Sequence, residues 1–148
     1  MDEARVKRTV SAYFEALRAL DVEAWVGTFA ENGETHDPAG APPHRGHDAL
    51  RRFLTGIAAG FREVALHERK TFVAGQGAAV LWSGRGTGHN GRQVEFEGVD
   101  VFELDEHGKI RTLRAYWNPE PVLQELAAPP AGSPGSPDSS GSPRSDRR

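Results

Sequence analysis

Val94-Glu95-Phe96-Glu97-Gly98-Val99-Asp100-Val101-Phe102-Glu103-Leu104 is the stretch that organises the reading of this 148-residue chain. Its even positions are Val94, Phe96, Gly98, Asp100, Phe102 and Leu104, and three of its odd positions are Glu95, Glu97 and Glu103. Side chains alternate across a strand, so one face belongs to a core and the other is at least partly wet. Asp100 falls on the core face. A carboxylate there must be paired, hydrogen-bonded or protonated, because a stranded charge is costly. No lysine shares that face. Two readings follow: a structural aspartate paired with an arginine from elsewhere, such as Arg85, or a carboxylic acid kept neutral by burial and able to donate a hydrogen bond.

Outward from this strand the texture is repetitive. Val64 to Val73 and Ala78 to Arg85 read as the two strands before it, separated by Gly75-Gln76-Gly77, with a turn near His89-Asn90-Gly91. Ile110 to Trp117 reads as the strand after it, beyond Asp105-Glu106-His107-Gly108 and ended by Pro119 and Pro121. The first half is different. Val6, Val10, Phe14, Leu17 and Leu20 recur at helical spacing, which predicts an amphipathic helix over 3–20. Asp21 is an N-cap for a short helix carrying Val22, Trp25, Val26 and Phe29, stopped by Asn32-Gly33. Glu34 to Pro38 is extended, since the residue before proline leaves the α region, and 39–46 is loop. Leu50, Phe53, Leu54 and Ile57 share one face of a third helix. Helices first and an antiparallel meander afterwards indicate an α+β domain, and a sheet curved around helices can leave a pocket.

Composition narrows the function. The domain is expected over 1–127; from Ala128 to Arg148, 14 of 21 residues are Pro, Gly or Ser, so that segment is read as a disordered tail. The formal charge is −3, and the tail contributes +1, so the domain is acidic and a general nucleic-acid binder is disfavoured. There is no cysteine, hence neither a disulfide framework nor thiolate chemistry. The charged start MDEARVKRTVSAYFEAL lacks the apolar core of a signal peptide, and no stretch approaches a membrane span, so no membrane association and a cytoplasmic location are expected.

Two further residues matter beside Asp100. Tyr13 lies one step off the stripe of the first helix, and Asp37 precedes Pro38 at the end of the extended segment. Each alone is ordinary, a half-buried tyrosine and a turn aspartate. Together with His36-Asp37-Pro38-Ala39-Gly40, Asp105-Glu106-His107-Gly108-Lys109-Ile110 and Ala115-Tyr116-Trp117, the order Tyr13…Asp37…Asp100 resembles bacterial steroid Δ-isomerase (ketosteroid isomerase), of the nuclear transport factor 2-like, SnoaL-like superfamily. The resemblance runs from about Val6 to Pro119.

The resemblance implies a curved antiparallel sheet wrapped around N-terminal helices, enclosing a cone-shaped pocket, and a homodimer. It also implies the roles, for which that family is itself the type case. Asp37 takes a proton α to a carbonyl and returns it farther along the conjugated system, while Tyr13 and protonated Asp100 donate hydrogen bonds to the dienolate oxygen. No cofactor is needed. Trp117, Phe102, Leu113 and Phe53 are expected to supply an apolar lining. Ser83 and Arg85 lie on a strand face that the resemblance turns toward the pocket, where steroid-processing members are mostly apolar. Phe29 and Leu54 stand where some members have tyrosines bracing the oxyanion tyrosine.

The substrate expected on this reading is a small apolar or polyketide-like ketone. The alternatives are a polyketide or polyether cyclase, an epoxide-opening enzyme or a dehydratase of the same fold, which Ser83 and Arg85 favour, and a non-catalytic small-molecule binding module, since function does not follow from fold. Other signals are set aside. Gly86-Thr87-Gly88-His89-Asn90-Gly91 spells a dinucleotide fingerprint, but a strand follows it instead of a helix, so it is a hairpin. His36, His44 and His47 lie along a Pro/Gly-rich stretch without a ligand pattern, and no metal site is assigned to them. No G-x-S-x-G nucleophile is present.

Overall fold

The computed structural model describes residues 2–132. In chain order they form α1 (Glu3–Ala19), α2 (Val22–Val26), β1 (Phe29–His36), β2 (His44–Arg45), α3 (His47–Ala59), β3 (Glu63–Ala74), β4 (Gly77–Thr87), β5 (Gln93–Leu104), β6 (Ile110–Tyr116) and α4 (Glu120–Ala127). The six strands make one sheet in the order β2-β1-β6-β5-β4-β3. It is curved and unclosed, and helix residues pack against the face that carries Val80, Trp82 and Phe102. The α+β architecture expected from the sequence is the one observed. None of the described helices is long and apolar enough to cross a membrane.

Local chemistry accounts for the elements. Asp2 caps α1 by accepting from Arg5 N at 2.7 Å, and Asp21 caps α2 by accepting from Ala24 N at 3.1 Å. Val6, Val10, Tyr13, Phe14 and Ala16 form the buried face of α1. They meet Val80, Trp82, Phe102, Leu104, Ile110 and Leu113 from the sheet in a single core. Burial of such side chains supplies the main driving force for folding.

Four details differ from the sequence reading. The shortest is that His44–Arg45, expected within a loop, pair with Thr35 and Glu34 as strand β2. The second helix ends at Val26, and Phe29 and Asn32-Gly33 belong to β1. Asn32-Gly33 does not stop a helix: a Cβ on Gly33 would sit 2.6 Å from Ile110 O, so the glycine lets β1 approach β6 closely. β1 runs parallel to β6, so the sheet is not purely antiparallel. Finally, Pro119 and Pro121 end the last strand but open α4, where proline is tolerated in the first turn.

Of the expected tail, residues 128–132 are described, and Ala131 N donates to Asn90 O at 2.9 Å. Residues 133–148 lie outside the described residues.

Candidate active site

β5 alternates as its pattern requires: Val94, Asp100, Phe102 and Leu104 are buried, whereas Glu95, Glu97 and Glu103 are exposed. Asp100 is 2% exposed. Trp82 on β4 reaches it diagonally, its Nε1 donating to Asp100 Oδ1 at 2.9 Å. The path is open because the residue directly opposite Trp82 is Gly98, where a Cβ would lie 2.7 Å from Trp82 Cζ2 and 2.7 Å from Trp117 Cβ. Burial pushes the Asp100 carboxyl well above the usual carboxylate range, and the negative charge of Asp37 adds to the rise; the Trp82 bond opposes it in part.

Asp37 sits just beyond β1 and is half-buried. Trp117, just past β6, donates its Nε1 to Asp37 Oδ1 at 2.7 Å. Desolvation leaves the Asp37 carboxyl above the usual carboxylate range, and the Trp117 bond and the nearby His44 offset part of the rise. The two aspartates therefore share one arrangement, a carboxylate receiving one indole N–H, in different degrees of burial.

Tyr13 projects from α1 into the same cavity and is 3% exposed. Its ring packs edge-on against Phe14 and Phe102, with centroids 5.1 and 5.0 Å apart. Burial, then Asp100, then Asp37 push its hydroxyl well above the usual phenol range. Phe29 and Leu54 are buried nearby and carry no hydroxyl to brace it. The neighbouring Trp25 opposes the rise in part, although its buried Nε1 reaches no partner in hydrogen-bonding geometry.

The three side chains line a cavity of about 280 Å³ between the sheet, α1, α3 and α4. Trp117 and Phe53 line it as expected, with Trp82, Phe96, Phe61 and Leu66 beside them and Val122, Leu123 and Leu126 from α4. Phe102 and Leu113 do not. Both are fully buried, packed into the core behind the cavity wall.

Ser83 and Arg85 are on the opposite face of the sheet. They pair directly with Glu97 and Glu95, and cross-strand partners share a face, so both belong to the wet side of β5. Ser83 Oγ accepts from Arg69 Nε at 2.6 Å, and Arg85 is an exposed partner of Glu95 at 3.5 Å. Neither lines the cavity, and Arg85 is not the counter-ion of Asp100. The alternation Val80, Trp82, Gly84 against Leu81, Ser83, Arg85 carried that information in the sequence.

Two features of the site lie beyond the sequence reading: Trp82 is not among its candidates, and Trp117 is in it as lining alone, without its donor role. The signal for both was an indole on the same face as a buried carboxylate, next to a glycine. The three histidines, at the end of β1, in β2 and at the start of α3, do not converge. His36 bonds Glu34 at 2.6 Å, His47 Nε2 donates to Phe29 O at 3.0 Å, and the His44 ring lies over Phe53.

Comparison with known proteins places this geometry. A family model described as a SnoaL-like domain matches residues 10–113. A steroid Delta-isomerase of Nocardioides simplex is 32% identical over 117 residues, covering 78% of this chain and 92% of that protein. Among solved structures, SalBIII is described as an epoxide hydrolase/cyclase-like enzyme in pyran ring formation in the polyether salinomycin. It superposes with a TM-score of 0.73 at 30% identity, covering 79% of this chain and 93% of SalBIII. RV0760c of Mycobacterium tuberculosis, solved with estradiol-17beta-hemisuccinate, shares the fold, with a TM-score of 0.71 at 21% identity over 78% of this chain and 95% of that one.

Proposed function

The chain belongs to the SnoaL-like family, and from that premise we propose that it is a cofactor-independent acid–base enzyme acting on an apolar, steroid-like ketone, shifting a C=C bond into conjugation with the carbonyl. The observation that carries this reading is the pair of aspartates in one apolar cavity, set apart by their surroundings. Burial raises both carboxyls above the usual range. At Asp100 the charge of Asp37 adds to a larger rise, whereas at Asp37 the Trp117 bond and His44 offset part of a smaller one, so Asp37 is the first of the two to ionise. A base must be ionised and an oxyanion donor must carry a proton, and this division supplies one of each.

In the proposed cycle Asp37 accepts the proton from the carbon α to the carbonyl, leaving a dienolate. Tyr13 and Asp100 donate hydrogen bonds to its oxygen, in a water-poor site where such donors are most effective. Asp37 then returns the proton to the far carbon of the conjugated system, so nothing is oxidised, reduced or consumed overall.

The relation to SalBIII supports a second reading, with Asp37 and Asp100 as a base–acid pair for epoxide opening or ring closure. The polar wall that would suit a polyoxygenated substrate has moved to the outer face with Ser83 and Arg85, which leaves the apolar ketone favoured. The test is ultraviolet absorbance with a Δ5-3-ketosteroid, wild type against Asp37→Asn. Rapid formation of the conjugated enone is expected, with loss of about 10²–10⁴-fold in the variant. No enone from either protein would reject the isomerase reading and favour the cyclase.

A further inference from the structure

The hairpin at Gly88–Arg92, which carries most of the false dinucleotide motif, touches two of the helices that flank the cavity, α3 and α4. We infer that it is a latch, in which Asn90 and Arg92 are positioning residues that hold α4 as a wall of the cavity and so set how tightly an apolar ligand is retained. This goes beyond the proposed reaction and does not depend on it.

The need for a latch follows from α4 itself. It is eight residues long, too short to be stable alone. Val122 is its one fully buried residue, and Leu123 is 60% exposed. Its C-terminus has no left-handed cap: Ala128 is extended and its own N–H reaches only Glu125 O, at 3.2 Å, so the carbonyls beyond Glu125 must find donors elsewhere.

The hairpin supplies them. Asn90 Nδ2 lies 2.9 Å from Glu125 O, 3.2 Å from Leu126 O and 3.0 Å from Ala128 O. Arg92 donates from Nη1 to Glu125 Oε2 at 2.9 Å and from Nε to Pro129 O at 2.6 Å. Asn90 O accepts from Ala131 N, which ties down the chain beyond the helix. The Asn90 amide is itself oriented, since its Oδ1 accepts from Arg92 N at 3.0 Å. On the other side of the tip, His89 Nε2 donates to Ala59 O at 2.8 Å, at the end of α3. One turn thus joins the helix that carries Phe53, Leu54 and Ile57 to the helix that carries Val122, Leu123 and Leu126, all six of them lining the cavity.

The test compares the full chain with Asn90→Asp, which keeps the shape of the side chain but removes both amide donors, and with Arg92→Gln. Hydrogen–deuterium exchange needs no ligand. Residues 120–131 are expected to exchange about tenfold faster in either variant, while 93–116 stay within about twofold of wild type. Progesterone, followed by quenching of tryptophan fluorescence, is expected to bind about tenfold more weakly. With a substrate that is turned over, KM rises and kcat is retained.

Unchanged exchange across 120–131 in both variants would overturn the latch. Faster exchange with undiminished progesterone affinity would overturn its role in retaining the ligand. Failure of the wild type to bind progesterone counts against the steroid-like substrate, and the exchange comparison still decides the latch. Should Asn90→Asp lose its overall fold, exchange in Arg92→Gln decides it.

Discussion

Strands β4 and β5 present two faces made from alternate residues of the same segments, and the two faces treat acidic groups in opposite ways. On the outer face Glu95 and Glu97 stand in water opposite Arg85 and Ser83. On the inner face Asp100 is buried and, among the described residues, its side chain accepts one hydrogen bond, from the N–H of Trp82. A solvated ion pair contributes little, because water already screens both charges. A desolvated carboxyl keeps its proton, because the charged form has lost its hydration. A shift of one residue along a strand thus separates a solubilising acid from a buried one that favours its proton.

The sharpest way to break this contrast after the Asp37→Asn experiment is to remove the inner acid. Asp100→Ala is expected to lower kcat by about 10²–10³-fold, the usual loss for one oxyanion donor. Asp100→Asn keeps a neutral donor and an acceptor for Trp82, and should retain more activity than the alanine variant. Its stability also carries a sign. The Asp100 carboxyl is raised in the folded state, so its contribution to stability is fully present below the ordinary aspartate range. That stability is lost as pH climbs from there through the raised folded value. Asp100→Asn should therefore gain in Tm relative to wild type at pH 8 more than at pH 4, and an equal difference at both would contradict a protonated Asp100.

A smaller effect is expected at the residue that lets the inner face form. In Gly98→Ala the new methyl would meet Trp82, Trp117 and Tyr116 O, each 2.7 Å away. Overpacking of this kind costs about 1–3 kcal/mol, readable as a lower midpoint in urea. It also displaces the two indoles that bond the aspartates, so activity should fall with stability. The smallest effect belongs to the outer face. Arg85→Ala should change stability by less than about 0.5 kcal/mol and leave turnover within about twofold. A large loss of activity there would bring the outer face back into the site.

Much of this was legible in the residues. The period of two across 94–104 marked the strand and put Asp100 inside, and the helical stripe from Val6 to Leu20 marked α1. Ser83 and Arg85 were assigned to the wrong face although their own alternation with Val80 and Trp82 was in view, because resemblance took precedence over register. α4 went unread because prolines that end a strand also start a helix, and only Val122 and Leu126 hinted at its spacing. Phe29 was given to a helix because a lone aromatic fits either period, and the close approach that needs Gly33 involves Ile110, far away in the chain.

The sequence by itself determined which side chains could be buried, and with that the α+β class, the alternation of the strands and the presence of a carboxylate on an apolar face. These are local properties, set by the period of side chains along one segment. Only the tertiary structure decided which donor reaches which acid. The bonds from Trp117 to Asp37 and from Trp82 to Asp100 span 80 and 18 residues, and the hairpin that holds α4 reaches carbonyls 35 to 38 residues away. Such pairings follow from sheet register and from space left by a glycine, which no single segment encodes.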